Sequence, residues 1–412
     1  MTNKFILLTI LVLVSLAQAA PISQEQITKD DAPRIFIDCS RCDMSFIRTE
    51  LHYVNYVIDR NDADIFIMVT RQGTASGGTQ QTLTIEGREA FAGMNDTLSF
   101  VIEQDMTDDE ARKEMVKWLQ MGLVKYLVRT PLANDMEISF RSAKPLEQPE
   151  DKWDYWVFRT SMNAWFNGES SYQSLHSNYR FSASRTTEAL KLSARLHANL
   201  DMNTYDLGDT SITSESSSQA LYLLYVKSIS DHFSIGATAG IRGSTYSNLD
   251  RAIWINPTIE YNVYPYSEST RRELTFKYLL GLDLNAYNEV TIFDKTKEQL
   301  LSESLWIEYE VKEPWGSTEI RLAGSHYFHD LSKYRLDIWA ELSLKLLKGF
   351  SFDLRGNYSM IHDQLTLPKG TATQEEILLH RQEMATQFDY WGSMGISYTF
   401  GSIYNNIVNP RF

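Results

Sequence analysis

The chain has few cysteines and few prolines, more acid than base, and no long apolar run beyond its first residues. Two cysteines among 412 residues cannot build a four-cysteine zinc site. No stretch reaches the roughly 18 consecutive apolar residues that a membrane-crossing helix needs, so a helical anchor is excluded. Lys and Arg number 39 against 53 Asp and Glu, a net charge of −14. That balance argues against nucleic acid, which demands a basic face, and against adhesion to anionic lipid. What is abundant is aromatic: 22 Tyr, 19 Phe and 9 Trp beside only 10 Pro.

Residues 1–19 read as a signal peptide. Lys4 precedes an apolar run from Phe5 to Leu16, and Ala17-Gln18-Ala19 supplies the small residues of a cleavage site. No cysteine follows the run, so no lipid anchor is expected. An exported chain puts the cysteines in an oxidising compartment.

Residues 20–145 have the mixed pattern of a small α/β domain. RIFIDC, ADIFIMVT, QTLTIEG and DTLSFVIE read as strands. Ile47, Leu51, Val54 and Ile58 share one face of a predicted helix. A second helix is expected to start at Thr107, with Glu110 at capping-box spacing, and to carry Met115, Leu119, Leu123, Tyr126 and Leu127 before Pro131 stops it. MEISF reads as a closing strand, giving the order β-α-β-β-β-α-β. A polar linker follows at 146–153.

From 154 to 412 the period is two. LTFKYLLGLDLNA puts Leu274, Phe276, Tyr278, Leu280, Leu282 and Leu284 on one face and Lys277, Gly281, Asp283 and Asn285 on the other. Twelve such segments begin near 154, 172, 189, 217, 232, 251, 272, 301, 316, 334, 350 and 386. A tilted strand that crosses a bilayer needs about 9–11 residues, apolar outside and polar inside. The sheet must also close, because lipid cannot satisfy a free edge. Turns after alternate strands are short (RTTEA, ISD, PYSES, KEPWGS, LKG), and most other connections are longer: MNTYDLGDTSITSE, NEVTIFDKTKEQ and DQLTLPKGTATQEEILLHRQE. The expected fold is therefore an α+β periplasmic domain ahead of an antiparallel transmembrane barrel of about twelve strands, with the short turns periplasmic.

The last strand carries Ser393, Gly395, Tyr398 and Phe400. This spacing resembles the signal read by the barrel-assembly machinery of diderm bacteria, which usually ends at the terminus, here Phe412. Through IDCSRCD, FIRTELHYVNYVIDRNDADIFIMVT, YPYSESTRRELT, EPWGS and YTFGSIYNNIVNPRF, nearly the whole mature chain resembles an uncharacterised group of outer-membrane proteins with a periplasmic domain before the barrel. The barrel half is more loosely similar to the salt-induced outer-membrane protein family. The resemblance implies a cell outer-membrane location with lipid and the assembly machinery as partners. It supplies no catalytic residue and no cofactor.

Several candidate sites follow from the residues. Cys39 and Cys42 can form a disulfide clip between strand and helix. The alternatives are a thioredoxin-like redox pair, which would lack the flanking Trp and Gly-Pro of that family, and a zinc site drawing on Asp38, Asp43 and His52. Alternation directs Arg159, Arg180, Lys191, Arg195, Arg242, Glu260, Lys277, Asp283, Glu308, Glu310, Glu319, Arg321, Asp337, Glu341, Lys345, Asp353, Arg355 and Asp389 into the lumen, with both signs read as interspersed. Such charges either fill a narrow barrel as cross-strand ion pairs or line a conduit for small solutes. His326 and His329 near Ser325 and Ser332, with His362 and Asp363 at the next rim, are the material for a rim hydrolase. Ser325 and His326, however, should face opposite ways. The last long loop, with Asp363, Glu375 and Glu376, lacks calcium-ligand spacing and reads as a mobile polar loop or a lid. Pro314 with Trp315, and Tyr264, Pro265 and Tyr266, look like anchors of an aromatic girdle. The leading expectation is a non-enzymatic narrow or gated conduit, or an envelope-organising protein whose periplasmic domain binds a partner. A hydrolase or a cysteine redox module is the alternative.

Overall fold

The computed structural model describes residues 32–139 except 75 and 76, residues 151–370 except 207, and residues 383–411 except 403, 407 and 410. The segment expected to be a signal peptide and Phe412 lie outside the described residues, as do 140–150, which hold most of the expected linker. Two separate sheets result, one of five strands and one of twelve. Among the described residues no helix is long and apolar enough to cross a membrane.

The small sheet takes the order β2-β1-β3-β4-β5. Its strands are β1 (Arg34–Asp38), β2 (Asn55–Tyr56), β3 (Ile65–Gly73), β4 (Thr79–Gly87) and β5 (Asn95–Ile102). Two helices pack on it, α1 (Met44–Glu50) and α2 (Asp108–Leu127). The Thr107 side chain takes the Glu110 amide while the Glu110 carboxylate takes the Thr107 amide, the reciprocal cap the sequence announces. Met115, Leu119, Leu123, Tyr126 and Leu127 then bury one stripe of α2 against Ile35, Ile67, Leu83 and Ile85. Gly122 permits the close approach: a Cβ there would come 2.4 Å from Ile85 Cδ1. The Tyr126 hydroxyl donates to the Met94 carbonyl, and burial pushes its pKa up to about 12.

Two expectations for this unit fail. The first helix ends at Glu50, so Val54 and Ile58 do not lie on it. After a turn the chain straightens into the two-residue β2, whose parallel pairing with β1 satisfies its backbone better than further helix. Residues 136–139 form no strand and leave Ile138 58% exposed. Within the sheet β1 is flanked by β2 and β3, and the described residues after α2 add no sixth strand.

The large sheet is an antiparallel meander running from β6 (Trp156–Glu169) to β17 (Phe388–Tyr398) in chain order. The ten strands between them are β7 (Tyr172–Thr186), β8 (Leu190–Asp206), β9 (Ser211–Ser228), β10 (Phe233–Ser244), β11 (Leu249–Asn262), β12 (Arg272–Tyr287), β13 (Lys297–Glu313), β14 (Gly316–Tyr327), β15 (Asp330–Leu347) and β16 (Phe350–Ile361). Each expected segment corresponds to one of these strands. The expected loop at 202–215 is largely ladder, with Asp206 paired to Ser211 and the Thr204 and Thr213 hydroxyls 3.2 Å apart. The apolar pattern stops there but the hydrogen bonding does not, because β8 and β9 continue past the apolar band as polar ribbon. Of the connections expected to be long, 288–296 and 362–387, the latter described only in part, still join strands as loops.

The two faces of this sheet differ sharply. On β12, Phe276, Leu280, Leu282 and Leu284 are exposed while Thr275 and Gly281, on the opposite face, are buried. The same open face carries Phe181, Leu223, Ile253, Ile255, Ile259, Leu305, Leu354 and Tyr390, all exposed. The shielded face is polar and ion-paired. Lys277 on β12 reaches Glu260 on β11 at 3.2 Å and Glu308 on β13 at 3.4 Å.

Candidate functional site

Three places bring functional side chains together: the junction between the two sheets, the far end of the large sheet, and its shielded face.

The junction is built from the edge of the small sheet and the turn-side end of the large one. Tyr56 is buried, and its hydroxyl is held by the carbonyls of Ile47 and Leu51. This fixes β2 and leaves its outer edge free to pair. The segment after β17 takes that edge. Asn406 Oδ1 accepts from the Tyr56 amide at 2.6 Å, Asn406 Nδ2 donates to Asn55 Oδ1 at 3.0 Å, the Asn405 amide donates to the Tyr56 carbonyl at 2.8 Å, and Val57 bridges Tyr404. Beside it the β15–β16 turn docks on the loop after β2. The Gly349 amide donates to Asp59 Oδ2 at 2.6 Å, Lys348 Nζ meets Asp62 at 2.7 Å, and Arg60 Nη2 donates to the Lys345 carbonyl at 2.9 Å. Gly349 has φ +71°, and a Cβ there would lie 2.0 Å from the Thr399 oxygen, so only glycine fits this turn. Asp38, at the end of β1, is drawn into the junction. Burial raises its pKa, opposed by the nearby charges of Lys345 and Arg60.

Next to the junction Cys39 and Cys42 are joined, with an S–S distance of 2.01 Å, and pack against the core of the small sheet. Asp43 is occupied as the N-cap of α1, accepting from the Phe46 amide at 2.9 Å. Among the described residues no three His, Cys, Asp or Glu side chains converge as a metal site.

At the other end the chain leaving β16 is anchored rather than loose over its described part. Asp363 pairs with Arg335 on the shielded face of β15, with contacts of 3.0–3.1 Å. The segment then reaches loops three to six strands away. Thr291 bridges Pro368, and the Ile292 amide donates to the Leu367 carbonyl at 2.9 Å. Asn248, buried and with φ +54°, clamps both partners: its Nδ2 donates to the Glu289 and Thr366 carbonyls and its Oδ1 accepts from the Glu289 amide at 2.7 Å. Leu365 and Leu367 are buried in the process. A segment tied from β16 to the β10–β11 and β12–β13 connections crosses this end of the sheet as a strap. The expectation of a mobile polar loop therefore fails for 363–370. Glu375 and Glu376 lie outside the described residues.

The hydrolase constellation is not assembled. His326 and Ser325 project to opposite faces of β14. His326 Nε2 meets Glu303 Oε1 at 2.8 Å instead, and the Tyr278 hydroxyl donates to the same carboxylate. Ser332 bonds Asp330 at 2.6 Å, and His362 stacks on Tyr334 with centroids 4.6 Å apart. Glu303 was not among the sequence candidates. Tyr266, expected as an outward girdle anchor, turns inward to Glu260 Oε1 at 2.7 Å and Ser234 Oγ at 2.9 Å. Its place just past the strand end lets it serve the polar face. Tyr398 and Phe400 of the assembly-signal pattern are exposed and stacked, centroids 5.5 Å apart.

The ladders put Arg195, Lys277, Asp283, Glu308, Arg321, Glu341 and Arg355 on one continuous face, together with the other residues expected inside. Arg321 bonds Glu308 at 2.8 Å and also meets Glu319, and Arg355 meets Glu341. A pocket of about 370 Å³ opens on this face beside Glu341, Ser343, Asp353, Arg355 and Trp391. The signs are interspersed from β11 onward, where Lys277, Lys312, Arg321 and Arg355 sit among the carboxylates, but less so before it. On β6–β10 the charges of that face are mostly cationic (Arg159, Arg180, Lys191, Arg195 and Arg242), and the carboxylates gather from β11 onward.

No family model matches the chain, and no curated protein does. Among solved structures it is similar to CdiB from Acinetobacter baumannii, at 8% identity, covering 89% of this chain and 74% of that one, with a TM-score of 0.28. A likeness of that degree assigns neither family nor activity.

Proposed function

We propose that this chain is an outer-membrane β-barrel of twelve strands that acts as a narrow, gated conduit, with the five-stranded unit as a periplasmic domain fixed beneath it. One observation carries the reading: the large sheet is polar and ion-paired on its shielded face, yet leaves a band of Phe, Leu, Ile and Tyr uncovered on the other. Water would not tolerate a patch of that extent. Hydrocarbon would, and in hydrocarbon β6 and β17 must pair with each other to leave no edge. The even number of strands makes those two antiparallel, which permits the closure.

The shielded face is then the lumen. The pocket beside Asp353 supports room for small solutes, and the 363–370 strap supports gating, since it crosses the end away from the periplasmic unit. The tail that follows the last strand joins the domain to the rim, which supports a domain held at a set place to meet a periplasmic partner. Signal peptide, domain limits of 20–145 and recognition of Ser393, Gly395, Tyr398, Phe400 and Phe412 by the assembly machinery belong to the same reading. Nothing in the geometry favours the hydrolase, because His326 faces a carboxylate and not a serine.

The test is conductance of the purified full chain in planar bilayers. The wild type should give small, discrete openings. Arg335→Ser combined with Asn248→Ala, which unties the strap at both ends, should raise the open fraction. Silence of both proteins, with the barrel shown to be folded, would overturn the conduit.

A further inference from the structure

The order of the strands turns the separation of signs into a geometry. Counting along the sheet, β7 and β8 are six strands from β13 and β14. In a closed ring of twelve, strands six apart face each other across the lumen. On the inner face of β7 and β8 stand Arg180, Lys191 and Arg195, all exposed, with no carboxylate in the half nearest the β7–β8 turn. At matching depth across the ring stand Glu308 and Glu310 on β13 and Glu319 on β14, with Glu273 on β12 and Glu341 on β15 to either side. Arg195 is five residues above its turn-side strand end, as is Glu308. Cations on the acidic side are consumed locally: Lys277 between Glu260 and Glu308, Arg321 between Glu308 and Glu319, Lys312 on Glu310 and Arg355 on Glu341. The acidic side therefore keeps a surplus of carboxylates, and the basic side has none to neutralise it.

We infer that the turn-side half of the lumen carries a transverse electric field, positive along β7–β8 and negative along β12–β14, and that the solute it favours is a small zwitterion. This rests on the conduit reading and adds the solute class to it. Water between opposed charges a few ångströms from low-dielectric walls screens weakly, so the field acts on whatever passes. A solute of one sign is attracted by one wall and repelled by the other, with little net gain. A molecule with a carboxylate at one end and an ammonium at the other can satisfy both at once, turning its carboxylate to Arg180, Lys191 and Arg195 and its ammonium to Glu310 and Glu319. A ring of a single sign would instead select simple ions.

The test uses liposomes and planar bilayers containing the full chain. In liposome swelling, γ-aminobutyrate should enter several-fold faster than 1,4-butanediol through the wild type. That advantage should vanish both in Arg180→Ser/Lys191→Ser/Arg195→Ser and in Glu310→Gln/Glu319→Gln. In a KCl gradient the reversal potential of the first variant should move toward cation selectivity and that of the second toward anion selectivity. A conducting wild type that admits both solutes equally, or an advantage that survives in either variant, would overturn the field while leaving the conduit intact. A folded barrel that conducts nothing, even with the strap untied, would overturn both.

Discussion

Glu303 is a carboxylate on the open face of β13, between the exposed Leu301 and Leu305. A charge facing lipid costs up to several kcal/mol near mid-membrane and less toward the rim. Here His326 and Tyr278 offset that cost by occupying its oxygens. His326→Leu strands the carboxylate and should lower thermal stability. His326→Leu with Glu303→Leu should recover it, because removing a whole polar pair costs less than breaking it. A double variant less stable than the single one would refute the pairing. Alternation could place Glu303 outward, but it could not find its partner, since registers between strands decide which side chains meet.

Asp38 makes a second prediction at this scale. Its folded pKa lies above the ordinary 3.8 because of burial. The folded state therefore holds its proton longer than the unfolded chain, and stability falls as pH rises from 3.8 through the folded value. Asp38→Asn should be more stable than wild type at pH 7, with the gap closing below pH 3.8. Denaturant titration at two pH values reads it directly, and a gap that widens in acid would contradict the burial argument.

Among the elements, α2 was the most legible, because its cap, its apolar stripe and its stop at Pro131 are all local signals. Thr107→Ala should cost about 1 kcal/mol, the usual worth of an N-cap, measured as a shift in urea midpoint. The short β2 was not legible. Its two residues pair with β1 on one side and with a tail some 350 positions away on the other, and no local pattern records either. The tail makes the corresponding prediction. Asn406→Ala should loosen the small domain from the rim, seen as faster proteolysis between residues 140 and 153 while the barrel stays inserted. Gly349→Ala, by breaking the turn that meets Asp59, should do the same. Unchanged cleavage in both would mean that the contacts at that junction do not hold the domain.

For the whole molecule, the twelve strands were written in a period of two that runs for 250 residues, and their count and order came through. What did not was anything that depends on the ring. The preponderance of cations over carboxylates among the inward charges of the first strands, with Arg180, Lys191 and Arg195 clustered near one turn, lies open in the sequence. It becomes a field only when strands six apart are set face to face. The strap was hidden for a similar reason, since Asn248, Thr291 and Pro368 belong to three connections, far apart in the chain, that only the folded sheet brings together.

Closure of β6 on β17 is therefore the point on which the reading turns, because in the described structure each pairs with a single neighbour. Met162→Cys, on the open face of β6, can be combined in turn with cysteine at Tyr390, Gly392, Met394 or Ile396 on β17 and expressed in the outer membrane. A closed barrel predicts an intramolecular disulfide at one register or two adjacent ones, and none at the others. No cross-link at any position, or cross-links only between two chains, would contradict a single-chain barrel.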